Sequence, residues 1–391
     1  MRVIGKGITS CVVTPPVSCK DGETHKKGEI GKITSVNKAI KESKIQKILT
    51  HIDSNHLFTP ERTEYCETQN SKQNLLYLLK RQGCDSLKNT RKPISQVIMK
   101  DHGDTFYSFI SSNPRDTLKR LRDTTPLSYL GTEVVRLLFG GATLKKHNLY
   151  HTDLHINNIL IDPETLDFCM IDFGELSTNK SVYKNIINKD YSQKDYQQIP
   201  IEMIFYEYII NNEKLISSLI KMPKHIENLL EKGKNTGRMS YDLVKTMNEI
   251  PSFRGIVNPF DESRFPENAR KNLYSLRCKC LLSIIKLLRR KISLNYIIAK
   301  TLSTLDSVSI GIILQHFCYY MSKVEPTITS TELFNSINTN ASKMCNADIT
   351  KRISCLESLR NIFKHYKNIH KNDRRQEDRK IDLIKRVLKL I

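Results

Sequence analysis

The chain has 391 residues, 39% of them hydrophobic, and a formal net charge of +21. Its length allows one large two-lobed domain or two ordinary ones, and its apolar content excludes disorder throughout. The charge favours polyanionic partners through counterion release, but Lys, Asn and Ile are abundant together, as AT-rich coding would give, and solvated surface lysines explain the charge better than a dedicated nucleic-acid site.

The first thirteen residues read as a strand, a glycine turn and a second strand. Residues 14–28, rich in Pro, Gly and Lys, read as a loop or insertion. Residues 29–34 alternate like a strand, and 37–52 place Ala39, Ile40, Ile45, Ile48 and Leu49 near helical spacing. A buried strand is expected within 93–104. It ends in a polar turn that marks a boundary between a first lobe, 1–104, and a second, 105–391. Residues 127–148 read as a long helix interrupted by glycines, and 158–172 as two short apolar strands around an Asp-Pro-Glu-Thr turn. Beyond 203 the pattern is helical, clearest at 204–220, 272–291, 306–321 and 352–368. Segregated strands and helices make an α+β layout.

Ten cysteines are scattered without a C-x-x-C pair, so a zinc site of ordinary spacing is not supported. In a chain of this size no disulfide framework is needed, and a reducing compartment is expected. The start lacks an apolar run of signal-peptide length, and no run reaches membrane-spanning length. The expectation is a soluble cytoplasmic protein.

The stretch "YHTDLHINNILIDPETLDFCMIDFGE", residues 150–175, carries the chemistry. If the two short strands pair, Asn158 and Asp172 fall at the same end of a hairpin and Asp153 lies in the loop just before it. Two carboxylates and an amide would then converge. Hard oxygen donors suit Mg²⁺, which fills its octahedron with waters and phosphate oxygens. A carboxylate left over can orient a hydroxyl and accept its proton, as phosphoryl transfer requires. The plainer alternative has Asp153 capping a helix and Asn158 opening a turn.

This stretch resembles the H-x-D-L-x-x-x-N and D-F-G motifs of the protein-kinase fold. At the N-terminus "IGKGITSCV" is similar to a phosphate-covering loop, G-x-G-x-x-G-x-V, with Gly5, Lys6 and Gly7, then Ser10 in place of the third glycine, and Val12. Glycines there let backbone N–H groups approach phosphates. Lys32, alternating with Ile30 on the third strand, is the candidate phosphate lysine, with Lys26, Lys27 and Lys38 as rivals. Glu42 is the only acidic residue between Lys32 and Asp53 and so the candidate ion-pair partner, although a surface i,i+4 pair with Lys38 is a fair rival. Pro200 and Glu202 resemble the A-P-E segment, with Arg374 a candidate partner for Glu202. Asp306, Ser309 and Gly311 resemble the start of the central large-lobe helix, where the aspartate holds the catalytic-loop backbone.

Taken together these features resemble eukaryotic-type protein kinases, closest to serine/threonine kinases of large cytoplasmic DNA viruses of iridovirus and mimivirus type. The resemblance implies a bilobal kinase-like fold, with a small strand-rich lobe and a large helical lobe carrying a helical insertion at about 204–300. It implies transfer of the ATP γ-phosphate to Ser or Thr of protein substrates, which the basic charge would favour as acidic ones, in the host cytoplasm, with the virion as a second location. Asp153 would be the catalytic base, Lys32 and Glu42 the phosphate-holding pair, Asn158 and Asp172 the Mg²⁺ ligands, and Gly5, Lys6, Gly7, Ser10 and Val12 part of the ATP site.

The sequence departs from the pattern in places. Thr152 replaces the arginine that usually precedes the catalytic aspartate, which implies activity independent of activation-loop phosphorylation. His155 stands where a phosphate-contacting lysine is usual, and D-L-H-x-x-N occurs in kinase-fold enzymes with small-molecule acceptors. A small-molecule phosphotransferase, and an inactive scaffold or nucleic-acid-binding protein, are the alternatives.

Overall fold

The computed structural model describes residues 1–7, 9–22, 26–61, 63–87, 92–121, 124–162, 164–178, 180–182, 184, 203, 206, 209–210, 213–222, 224–236, 267–370 and 378–391. Within these the architecture is mixed α+β, with a small antiparallel sheet early and helices dominating the C-terminal part. The chain divides into two compact units. The first comprises Met1–Thr125, Ile156–Leu176 and Arg374–Leu390, and the second Pro126–His155 and Ser177–Asp373 with Ile391. The first stretch of the first unit runs on to Thr125, and the hairpin at 158–172 falls with the first unit.

The first unit is built on a five-stranded sheet. Its strands are β1 (Arg2–Lys6), β2 (Cys11–Thr14), β3 (Glu29–Ser35), β4 (Thr63–Cys66) and β5 (Ile94–Lys100), in the order β1-β2-β3-β5-β4. Helix α1, Val36–Ile52, follows β3 directly, as the periodicity predicts. Helix α2, Lys72–Arg81, and strand β4 were not expected from the sequence. Ser71 caps α2 by accepting the Asn74 N–H, and Leu75 and Leu79 on its buried face join Cys11, Val13 and Ile33 in one apolar cluster. Since strand side chains alternate, that cluster occupies one face of the sheet and leaves Val12 and Lys32 on the other. Helices α3 (Phe106–Ile110) and α4 (Pro114–Leu121) complete this stretch.

Two disulfides cross this unit, Cys11–Cys84 and Cys19–Cys66, one nested inside the other. The expectation that the cysteines need no disulfide framework is therefore corrected for these four. Their partners lie 73 and 47 residues apart, a distance at which spacing carries no signal. Cys169, Cys278, Cys280, Cys318, Cys345 and Cys355 form no disulfide.

The second unit is organised around α5, Pro126–Lys146, which is buried without interruption from Ser128 to Leu144. The glycines that weaken a helix reading here are packing notches. A Cβ at Gly131 would lie 2.8 Å from Tyr366, and one at Gly141 2.6 Å from Ile310. Around α5 pack α10 (Leu305–Val324), α11 (Glu332–Met344) and α12 (Cys355–His370). A further apolar cluster unites the remaining helices of this unit, α6 (Glu213–Ile220), α7 (Lys224–Thr236), α8 (Glu267–Arg289) and α9 (Leu294–Leu302). They fall in the part of the chain beyond 203 whose pattern reads as helical. Residues 308–321, the most apolar long segment, lie in the buried helix α10, and among the described residues no single helix is long and apolar enough to cross a membrane.

Candidate functional site

In the first unit the candidates converge on the face of the sheet opposite the α2 cluster. Gly5 pairs with Val12, Val12 with Lys32, and Lys32 with Val97, so three sequence-predicted residues stand in one row across β1, β2 and β3. Directly opposed residues in an antiparallel pair share a face. A Cβ at Gly5 would come within 3.3 Å of the Val12 Cβ, and the strand register shifts there, so the glycine permits a close crossing. The turn beyond is closed by the Gly7 N–H donating to the Ser10 carbonyl at 2.9 Å, and a Cβ at Gly7 would lie 2.7 Å from Ser10 Oγ. Thr9 is tied from two sides, its carbonyl accepting Thr34 Oγ1 and its hydroxyl accepting Lys38 Nζ.

Lys32 Nζ donates at 2.9 Å to Glu42 Oε1 and at 2.9 Å to Asp172 Oδ1. The rival lysines do not take this place: Lys38 is engaged by Thr9 instead. Glu42 lies on the inward face of α1 and not in a surface pair with Lys38. Burial alone would push the Lys32 ammonium down, but Glu42 and then Asp172 outweigh it and hold it above the usual lysine range. Burial pushes the Glu42 carboxyl up, and Lys32 offsets part of that. Two carboxylates against one ammonium leave a negative charge in excess, held in a half-dry site where it acts over a longer range than in water.

After the short strands β6 (Asp104–Thr105) and β7 (Leu149–Tyr150), Asp172 is placed by the hairpin β8 (Ile159–Ile161) and β9 (Phe168–Met170), as the apolar runs predict. The Ile171 N–H donates to the Asn158 carbonyl at 2.9 Å, which sets Asn158 and Asp172 at the same end. The turn between the strands is held by Asp162, which accepts the N–H groups of Glu164 and Thr165. Asp172 itself has φ 60°, in the left-handed region. A non-glycine residue there costs roughly 1–3 kcal/mol and persists where its surroundings over-determine it. Gly174 follows, and a Cβ on it would lie 3.5 Å from both Asp172 Oδ1 and Glu42 Oε1.

Asp153 belongs to the second unit, and the convergence of both carboxylates with the amide is realised within the first unit only for Asn158 and Asp172. In its own unit Asp153 sits in a pinned loop. Asp306 at the start of α10 accepts the His151 N–H at 2.8 Å and the Thr152 N–H at 3.3 Å. Thr152, β-branched, is held at φ 58°, a strained conformation immediately before Asp153. Burial raises the Asp306 carboxyl to about 6, against the opposing pull of the two N–H groups and Lys145. The expected Asp306 role, holding backbone, has this geometric counterpart. Gly311, one helical turn on, lets α11 approach, since a Cβ would lie 2.9 Å from Met344 Cβ. Pro200, Glu202 and Arg374 lie outside the described residues.

Among the described residues no group of three or more His, Cys, Asp or Glu could hold a metal by itself. Asn158 and Asp172 are a two-oxygen donor set beside an excess negative charge, which fits Mg²⁺, an ion that takes one or two protein ligands and completes its shell from phosphate and water. Compared with protein-family models and with curated proteins, the chain matches none.

Proposed function

We propose that the protein is an ATP-dependent protein kinase of the bilobal kinase-like fold, transferring the ATP γ-phosphate to Ser or Thr of protein substrates. One observation carries the reading: a lysine on the third strand meets a glutamate from the following helix and an aspartate 140 residues away, both at 2.9 Å. A lysine so desolvated and so placed beneath a glycine turn is suited to gripping phosphate oxygens, and phosphoryl transfer asks for positioning and charge neutralisation more than for covalent chemistry.

In this reading Lys32 draws on the α- and β-phosphates, and Glu42 keeps its ammonium oriented. Backbone N–H groups between Gly5 and Ser10 cover the phosphates, with Val12 against the nucleotide. Asn158 and Asp172 would hold Mg²⁺, which would neutralise phosphate charge when bound. Asp153 accepts the proton of the acceptor hydroxyl, and Asp306 acts through the backbone of His151 and Thr152 to hold the loop that carries it. Viral origin and a cytoplasmic site of action remain part of the proposal through the sequence resemblance alone.

The test is acceptor profiling. The purified chain is incubated with γ-labelled Mg-ATP and, separately, with an acidic generic protein such as casein and with a panel of small hydroxylated and aminated compounds. Label on protein Ser or Thr supports the reading; label on small compounds alone replaces it with a small-molecule phosphotransferase.

A further inference from the structure

The α2 exit carries an element that the proposed chemistry does not use. α2 ends in a Schellman turn: the Cys84 N–H donates to the Leu79 carbonyl at 3.0 Å and the Gly83 N–H to the Lys80 carbonyl at 2.8 Å, with Gly83 at φ 74°. The turn sends the chain back along β1 and β2. There, three alternate residues engage the hairpin in sequence. Gln82 accepts the Val3 N–H at 2.7 Å and donates to the Met1 carbonyl at 2.9 Å, mimicking a strand partner on the sheet's exposed edge. Cys84 is bonded to Cys11. Ser86 donates to the carbonyl of Gly7. The three contacts thus fall before, beyond and on the glycine turn.

We propose that Gln82–Ser86 is a strap that positions the phosphate-covering turn, and that its closed form requires the Cys11–Cys84 disulfide. This rests on the kinase reading for its consequence, nucleotide affinity, but not for the strap itself. Gly5 and Gly7 make the turn intrinsically mobile, and a mobile turn loses entropy on closing over a nucleotide. Tethering both flanks pre-organises it. A dithiol would open the strap: one thiolate attacks a sulfur of the Cys11–Cys84 bond, and the resulting mixed disulfide is resolved by the second thiol. Two protein thiols and the reagent's cyclic disulfide result, two electrons passing to the protein. Cys84, Ser86 and Gln82 are positioning residues in this account, because they act on the turn and not on the phosphates.

The experiment uses the full chain in oxidised form. Amide hydrogen exchange of residues 3–12 and the Kd of a fluorescent Mg-ATP analogue are measured for wild type, for Cys11→Ser/Cys84→Ser, for Ser86→Ala and for the control Cys19→Ser/Cys66→Ser. Loss of the Cys11–Cys84 bond is expected to speed exchange in residues 3–12 and to weaken the analogue about tenfold, and Ser86→Ala to weaken it about three- to fivefold, with the disulfide intact. The control is expected to stay within about twofold of wild type. Unchanged exchange in 3–12 in a Cys11→Ser/Cys84→Ser variant that retains the wild-type circular dichroism overturns the strap, whatever the nucleotide does. Faster exchange together with an unchanged Kd overturns the requirement for positioning. Absence of analogue binding by the wild type sinks the kinase reading, and exchange alone then decides the strap.

Discussion

The two units solve the same problem, holding a polar group still away from water, by opposite means. In the first unit a cation, Lys32, is desolvated between two carboxylates on a short sheet whose strands are cross-linked by disulfides. In the second an anion, Asp306, is desolvated at the head of a long helix and spends its oxygens on two backbone N–H groups, among helices that approach closely because glycines let them. A small sheet has little apolar area with which to offset a buried charge, so it gains rigidity from covalent bonds. A helical bundle has that area, and keeps Cys278, Cys318, Cys345 and Cys355 as thiols outside any disulfide, buried or nearly so. Burial pushes the Cys318, Cys345 and Cys355 thiols up to about 12, which leaves them inert at neutral pH.

The comparison can be broken most sharply at Lys32. Lys32→Met leaves the buried Glu42 without its cation and should cost some stability, but its main effect should be to lower phosphoryl transfer by about a thousandfold, in keeping with loss of a preorganised charge at the phosphates. Steady-state transfer rates alongside circular dichroism check it, and a variant that keeps more than a tenth of wild-type activity would remove Lys32 from the site. Next is the covalent contribution. Cys19→Ser/Cys66→Ser should lower stability by about 2–4 kcal/mol in denaturant titration under oxidising conditions, whereas replacing the buried free Cys318 by Ser should act through packing alone and respond equally with or without reductant.

Asp306 gives the third, through pH. Its folded value, about 6, lies above that of an unfolded aspartate. Between about pH 4 and pH 6 the native state therefore holds the proton that the unfolded state has lost. The contribution is fully present below about pH 4 and is lost as pH rises through 6. Relative to Asp306→Asn, the wild type should thus lose roughly 2–3 kcal/mol of stability between about pH 4 and pH 7, measured by urea melts at each pH. Parallel stability curves would show that Asp306 stays ionised throughout. The smallest effect is steric. Gly311→Ala should cost about 1–3 kcal/mol by forcing α10 and α11 apart, seen as a lower melting temperature with unchanged nucleotide affinity.

Much of the first unit was legible because its signals are local. The alternation around Lys32, the helical spacing of Ala39, Ile45 and Leu49, and the Asp-Pro-Glu-Thr turn each lie within a dozen residues, and β3, α1 and the β8–β9 hairpin follow them closely. The pairing of Lys32 with Glu42 was implied by the kinase resemblance, Glu42 being the only acid between Lys32 and Asp53. The strap and the disulfides were not, because Cys84, Gln82 and Ser86 reach their partners across more than seventy residues. Helix α2 was missed although Ser71 and the leucine pair at 75 and 79 mark a capped amphipathic turn. Its short length hid it beside polar neighbours. The helix at 127–148 was read correctly despite its glycines, which helix propensity disfavours but which the close approach of Tyr366 and Ile310, far away in sequence, requires.

The central claim is that Asp153 is the base of a phosphoryl transfer to protein. The most direct measurement compares wild type with Asp153→Asn for transfer of labelled γ-phosphate from Mg-ATP to casein, with analogue affinity measured on both. The account predicts transfer to Ser or Thr by wild type, a loss of at least about a hundredfold in Asp153→Asn, and an affinity for the Mg-ATP analogue that is the same in both. Equal transfer by the two proteins, or nucleotide binding with no transfer by either, would contradict it.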